Sequence, residues 1–262
     1  MKQIDYAILR AWNNPSIVDL IATLDPVVNK MIVVVNGSKD QNGNLLDKIN
    51  TLELLRHSKF AGKIETRVLE NYGWSKALNE GLRMSTPKGD YETRLIISNE
   101  VNPTQEQLME MQKQVLVGNG IASGVYGLFS TGSYSLFDGR EEPTYLVPRN
   151  TCTLWRSDAM RGFTFNEKLD SQAGMEDVYM GLQIYDKTKL LPSLGPTDVK
   201  LSIRQGVNLE EKTFKERETI KRYLPQFKIE NVNAYFNALS VLALSKGKGN
   251  GMPLLRAMIS YE

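Results

Sequence analysis

The sequence predicts an α/β protein built on a doubly wound sheet, and three observations lead there. Met31-Ile32-Val33-Val34-Val35 is a continuous, largely β-branched apolar run, of the kind buried on both faces of a parallel sheet. Around it strand-like and helix-like segments alternate, the pattern of a sheet wound with helices on both faces. The length of 262 residues, with 41% hydrophobic and 24% charged residues, suits one large α/β domain with an appendage or two modest domains.

The elements follow in order. Tyr6-Ala7-Ile8-Leu9 is a short first strand that leads into the turn Trp12-Asn13-Asn14-Pro15. Ile17, Leu20, Ile21 and Leu24 recur at helical spacing from Ser16 to Leu24, with Pro15 suited to a first turn. The Met31–Val35 strand stops at the polar loop Asn36-Gly37-Ser38-Lys39-Asp40. Leu45 to Leu55 reads as a second helix and Ile64 to Leu69 as a third strand. In the next helix Trp74, Leu78 and Leu82 form a core stripe, while Ala77 and Gly81 put small residues one turn apart, where a backbone or a ligand can approach closely. Arg94 to Ile97 is a fourth strand that ends in Ser98-Asn99-Glu100-Val101-Asn102-Pro103.

Thr104 to Leu116 reads as a helix and Ile121 to Tyr126 as a strand. Gly127 to Thr144 is a polar loop region in which Ser133 to Phe137 has short-strand character. Strand character returns at Tyr145 to Val147 and again at Thr151 to Trp155. Beyond Pro192 and Pro196, Val199 to Ile203 closes the sheet-forming part. Composition then shifts to a charged helix from Leu209 to Phe227, with Glu211/Lys215 and Glu218/Arg222 at i,i+4 spacing, a solvated face by default. Val232, Tyr235, Phe236, Leu239 and Leu242 form the apolar stripe of a last helix, which suits packing on the main domain, a partner face, or contact with a membrane surface.

Composition excludes several chemistries. A formal charge of +2 argues against a strong grip on nucleic acid. The single cysteine, Cys152, sits in a strand-like run as a buried thiol and rules out an internal disulfide. The one histidine, His57, falls at a helix end, so Ser-His-Asp and Cys-His mechanisms lack their parts. Neither Gly-rich phosphate motif, G-x-G-x-x-G or G-x-x-x-x-G-K-[ST], follows any expected strand. No apolar stretch reaches membrane-span or signal-peptide length, and a cytoplasmic location is the simplest expectation.

What remains for chemistry is carboxylates, tyrosines, lysines and arginines. Glu176 and Asp177 follow Gly174-Met175 and precede Val178, Tyr179, Leu182 and Tyr185, so both acids stand where a loop becomes a helix. The free N–H groups and dipole of a helix start favour ionised carboxylates, which makes one of them a candidate proton acceptor. The competing reading is a pair of first-turn acids that only help the helix begin. Glu100, just past a buried strand, is placed to hold a cation, or else is a plain turn residue.

These pieces form an ordered set: a strand followed by Asn36-Gly37-Ser38-Lys39-Asp40, then Asn71-x-Gly73-x-x-x-Ala77-x-Asn79-x-Gly81, then a strand followed by Ser98-Asn99-Glu100-Val101, then Phe163-x-Phe165-Asn166-Glu167 and Gly174-Met175-Glu176-Asp177. In this order and spacing the chain resembles the GT-A glycosyltransferases of the family 2 type, which move a sugar from a nucleotide diphosphate to an acceptor. The likeness covers roughly residues 5 to 206. It implies a mixed, Rossmann-like GT-A sheet flanked by helices over residues 1–208, with residues 209–262 as a helical C-terminal extension packed on it.

The resemblance also implies roles. Asp177 matches the acceptor-activating base, with Glu176 orienting it or substituting for it. Glu100 matches the last acid of the family's Asp-x-Asp motif, which holds a divalent cation on the diphosphate. Asn36 and Asp40 fall in the loop facing base and ribose, and Asn71, Gly73 and Asn79 shape the nucleotide pocket. The implied partners are a nucleotide-sugar donor and a glycan, lipid-linked or protein acceptor.

The chain departs from the family where Ser98 and Asn99 replace two further acids, although they remain donor-side positions. Arg204 stands where a metal-binding histidine is common, and a guanidinium can hold phosphate oxygens in bidentate fashion without a cation. The acidic metal motif is thus degenerate, and Mn²⁺ or Mg²⁺ has Glu100 and water as its remaining ligands. Two other functions fit the same residues: a GT-A-shaped protein that binds a nucleotide or glycan without turnover, and a nucleotidyltransferase.

Overall fold

A computed structural model of the chain describes residues 3–11, 15–37, 41–44, 50–70, 73–86, 89, 92–98, 101–117, 122–130, 144–169, 176–190, 193–194, 200–201, 224–228, 230–232 and 234–235. The described elements run β1 (Ile4–Ala11), α1 (Ile17–Leu24), β2 (Val28–Asn36), α2 (Thr51–Arg56), β3 (Ile64–Leu69), α3 (Trp74–Met84), β4 (Thr93–Ser98), β5 (Val101–Asn102) and α4 (Gln105–Val117). They continue with β6 (Ala122–Ser130), β7 (Thr144–Arg156), α5 (Glu176–Thr188), β8 (Ser193–Leu194) and β9 (Lys200–Leu201).

The sheet is mixed and 7-stranded, in the order β3-β2-β1-β4-β7-β6-β8. β1 lies parallel between β2 and β4, and β3 continues the parallel half beyond β2. β7 runs antiparallel to both β4 and β6. The apolar run of β2 is explained by its place next to β1. Met31, Val33 and Val35 join the core beneath α1, α2 and α4, while Ile32 and Val34 meet Ala77 of α3 on the other face. Strands covered on both sides have no solvent face on which polar residues could alternate.

Each helix follows from its stripe. Ile17, Leu20, Ile21 and Leu24 of α1, and Leu108, Met111 and Val115 of α4, are buried in one core. Leu78 of α3 and Met180 and Ile184 of α5 share the opposite core with Ile8, Ile96 and Trp155. The small residue at Gly81 serves the sheet: a Cβ there would collide with Ile8 Cγ2, so glycine lets α3 lie close against β1. Cys152 is fully buried in β7, and burial alone pushes its thiol up to about 12. His57 caps the C-terminus of α2.

Two expectations change. The two strands expected at Tyr145–Val147 and Thr151–Trp155 are one continuous strand, β7. Pro148 is accommodated because the pairing slips there, from Gly124↔Thr153 to Tyr126↔Pro148, and at such an irregularity a missing N–H costs no regular ladder bond. The charged helix does not run through Phe227: Leu224–Gln226 is a single 3₁₀ turn, and Pro225 within it cannot continue an α-helical ladder. The helix expected from Leu45 is described only over Thr51–Arg56, while residues 45–49, 133–137 and 209–223 lie outside the described residues.

Candidate functional site

The carboxyl ends of the parallel strands define one edge of the sheet, and in open α/β sheets ligands bind there, where the connections diverge from neighbouring strands. β1 is that point here, since it lies between β2 and β4. Its penultimate residue Arg10 is the register partner of both Val34 on β2 and Ser98 on β4. Asn36 closes β2 opposite Leu69 of β3. Gly37 then donates its N–H to the Leu69 carbonyl at 2.8 Å, and a Cβ on Gly37 would meet a methyl of the exposed Val68 side chain.

Gly73 is the extended residue before α3, and the helix runs back from this edge across β1. That direction places Trp74 over Arg10, with the guanidinium carbon 4.1 Å from the ring centroid, and Gly81 over Ile8. A guanidinium stacked on an indole is held by cation–π attraction and keeps its N–H edge in a defined plane. The sequence marks Trp74 only as part of a core stripe, and Arg10 is not among the residues it singles out. The available signal was a cation that ends an apolar strand run, Ile8-Leu9-Arg10.

Ser98 is buried at the end of β4. The next residues, Asn99 and Glu100, lie outside the described set, as do Asp40, Asn71 and Arg204. Val101, which follows Glu100, pairs with Leu201, which shortly precedes Arg204, in the small antiparallel ladder of β5 and β9. Among the described residues no group of three or more His, Cys, Asp or Glu side chains could hold a metal ion.

Asn79, at the middle of α3, is tied to the segment ahead of α5. Its Nδ2 donates to the Phe165 carbonyl at 2.9 Å and to Glu167 Oε1 at 3.0 Å, and its Oδ1 accepts the Phe165 N–H at 2.8 Å. The amide is thus committed to the segment that leads to the two acids.

Glu176 and Asp177 open α5 and are both buried, at 6% and 4% exposure. The geometry of the preceding segment fixes which end of the sheet they occupy. β7 ends at Arg156 beside Thr93, the start of β4, so the chain leaves it at the amino edge. Lys187, near the end of α5, lies over Phe163 at 5.2 Å, which keeps the helix C-terminus at that amino edge. The helix start, with its acids, therefore faces the carboxyl edge, on the same side as Gly73 and Ser98. A neighbouring cleft of about 640 Å³ opens between α3, α5 and the segment before it, with Asn79, Arg83, Asn166, Glu167, Tyr179 and Gln183 among its lining residues.

No protein-family profile matches the chain, and no curated protein matches it in sequence. Solved structures do match. The mannosyltransferase PcManGT from Pyrobaculum calidifontis, solved with GDP-Man and Mn²⁺, superimposes with a TM-score of 0.54 at 13% identity, over 100% of this chain and 81% of that one. S. aureus TarS 1-349, in complex with UDP-GlcNAc, gives 0.56 at 15% identity over 93% of this chain and 71% of its own. A longer S. aureus TarS chain gives 0.51 at 15% identity, with 41% of its length covered. The chain thus has the GT-A fold, the fold of these nucleotide-sugar-binding glycosyltransferase structures.

Proposed function

We propose that the chain is a glycosyltransferase that moves a sugar from a nucleoside diphosphate to an acceptor hydroxyl with inversion, with Asp177 as general base. The observation that carries this reading is the pair of buried carboxylates, Glu176 and Asp177, opening a helix at the carboxyl edge of a GT-A sheet. Asp177 takes the proton of the acceptor hydroxyl as its oxygen bonds to the anomeric carbon. The bond from that carbon to the diphosphate breaks, and the nucleoside diphosphate leaves with the electron pair. Direct displacement needs the two reacting atoms aligned within about 3 to 3.5 Å, which is why base and donor belong at one edge. Glu176 orients the base.

On the donor side, Asn36, Asp40, Asn71, Gly73, Ser98 and Asn99 face the nucleotide, with Arg10 stacked on Trp74 beside them. Arg204 balances diphosphate charge. A divalent cation, if the enzyme uses one, takes Glu100 as its protein ligand and shares that charge. Asn79 acts at one remove, through its hold on Phe165 and Glu167. The cleft lined by Asn166, Glu167, Tyr179 and Gln183 suits a hydroxyl-rich acceptor, whether a glycan, a lipid-linked sugar or a protein. Residues 1–208 form the transferase domain and residues 209–262 an extension on it. Among the described residues no helix is long and apolar enough to cross a membrane.

The test is release of nucleoside diphosphate from a panel of UDP- and GDP-sugars, with wild type and Asp177→Asn side by side. Loss of about 10²–10⁴-fold in kcat in a folded variant is expected for removal of a general base. A folded Asp177→Asn protein that turns over at the wild-type rate would defeat the reading. Release of pyrophosphate would mark nucleotidyl transfer, and donor binding without product would mark a binding protein.

A further inference from the structure

The cleft between α3 and α5 reaches away from the acids. Asp177 stands in the first turn of α5, whereas Gln183 on the cleft wall comes six residues later, about 9 Å further along a helix axis. Tyr179 and Gln183 are at i and i+4 and share a face, while Asp177, two residues before Tyr179, is turned to another. On the α3 side the cleft extends to Arg83, in the last turn of that helix. Since α3 runs back from the carboxyl edge, the cleft follows α5 from near its start toward the amino edge.

Size and wall chemistry suit a sugar chain. The volume of about 640 Å³ falls within the roughly 300–1,000 Å³ of sites for drug-sized ligands, more than one sugar ring needs. The lining side chains end in amide, hydroxyl, charged or aromatic groups, and none is Ala, Val, Leu, Ile or Met. Sugars present C–H faces and hydroxyl edges, which rings, methylene stems and polar ends can meet together. A peptide laid in a groove is anchored by apolar side chains, for which these walls offer little.

Several polar ends on the walls already have partners within the chain. Asn79 is committed to Phe165 and Glu167, Arg83 gives two bonds to Glu80, and Asn166 Oδ1 accepts the Lys168 N–H at 3.1 Å. The Tyr179 hydroxyl donates to Gln226 Oε1 at 3.0 Å and its ring meets Phe227 edge-on at 5.2 Å, so the C-terminal residues hold this part of the wall. Gln183 differs. Its Oε1 is buried and accepts no hydrogen bond. Buried amide oxygens in native proteins are rarely left so. The last torsion of a glutamine is broad and roughly two-fold, so a half-turn exchanges that oxygen with the amide nitrogen. A ligand hydroxyl in the cleft is the donor that would satisfy it.

We propose that the cleft holds the body of the acceptor, that this acceptor is an oligosaccharide rather than a single sugar, and that Gln183 is a specificity-determining residue accepting a bond from one of its hydroxyls. The inference rests on the transferase reading with Asp177 as base. A molecule that fills the cleft and also offers a hydroxyl to Asp177 has to run along α5 and around its start, which one sugar ring cannot do.

The test measures nucleoside diphosphate release from a donor that the wild type turns over, with glucose, mannose and N-acetylglucosamine oligomers of one to six residues as acceptors. Acceptor kcat/KM should rise about tenfold from one residue to three, as added hydrogen bonds do, and then level off. Gln183→Leu should raise the KM of the longer oligomers about tenfold with kcat little changed, the pattern of lost ground-state binding. Its melting temperature should be no lower than that of wild type, because leucine removes an unpaired buried oxygen.

A monosaccharide as effective as the longest oligomer overturns the inference, and so does a Gln183→Leu protein with wild-type acceptor KM. A raised KM in a variant that melts lower is a packing defect and also counts against it. Acceleration by a Ser/Thr peptide alone, or donor hydrolysis that no oligomer accelerates, removes the oligosaccharide and leaves the transferase reading standing. If no donor is turned over, the transferase reading fails. Saturation-transfer NMR with the same oligomers then decides the cleft: length-dependent binding weakened in Gln183→Leu keeps it as a glycan site, and equal or absent binding removes it.

Discussion

Asn79 and Phe165, 86 residues apart, are joined by reciprocal hydrogen bonds, the side-chain amide of one pairing with both backbone groups of the other. An asparagine used this way acts as a piece of strand edge, tying α3 to the segment that leads into α5. Replacing it with alanine leaves the Phe165 N–H and C=O to find water in a partly buried place. Asn79→Ala is expected to lower unfolding free energy by about 1–3 kcal/mol, measured by urea denaturation. Donor affinity should change little, because the amide is turned toward Phe165 and Glu167. Undiminished stability would show that solvent replaces both bonds.

Gly81 should tolerate no side chain. Alanine is the better helix former, by about 1 kcal/mol, yet its methyl would meet Ile8 Cγ2, which a β-branched side chain on a buried strand cannot move aside. We expect Gly81→Ala to destabilise by about 1–3 kcal/mol, as overpacked cores do. Ile8→Ala removes the obstructing methyl. The double variant should therefore be more stable than the sum of the two single effects, as a double-mutant cycle would measure.

Arg10 offers a binding prediction. Its charge stands at the switch point of the sheet, stacked on Trp74. If it faces the nucleotide, Arg10→Met should weaken UDP or GDP binding by about ten- to a hundredfold, the range of a charged hydrogen bond. Isothermal titration with and without Mn²⁺ would report this, and the same loss in both conditions would separate Arg10 from any metal contribution. Equal affinity of variant and wild type would remove Arg10 from the donor site.

Glu80 sets a pH dependence. Its carboxylate takes two bonds from Arg83, at 2.7 and 2.9 Å, and one from Arg67 of β3 at 2.9 Å. The Arg83 hydrogen bonds hold it below the usual carboxylate range against the opposing effect of partial burial, with the Arg83 and Arg67 charges adding to the lowering. A depressed folded-state value means that the stabilisation is present above the unfolded value, about 4.3, and fades as pH falls through the folded one. Wild type should exceed Glu80→Gln in stability at pH 7, by about 1 kcal/mol or less for a solvent-screened cluster. The gap should close in acid, as guanidinium melts at pH 7 and pH 3 would show.

Much of the fold was legible in the sequence, because burial leaves local marks. The unbroken apolar run of β2 signals a strand covered on both faces, and the stripes of α1, α3 and α4 coincide with their buried sides. The acids at 176 and 177 were legible as a helix start for the same reason, since the apolar periodicity begins just after them. What no local pattern carries is the identity of the partner across a gap in sequence. Only the tertiary structure lays β7 antiparallel beside β4 and carries its register past Pro148. It alone stacks Arg10 on Trp74, turns the Asn79 amide onto Phe165, and sets the Tyr235 hydroxyl against Gly181. Periodicity records which face of an element is buried. Register and long-range packing decide what that face meets, and the chemistry of this edge depends on those meetings.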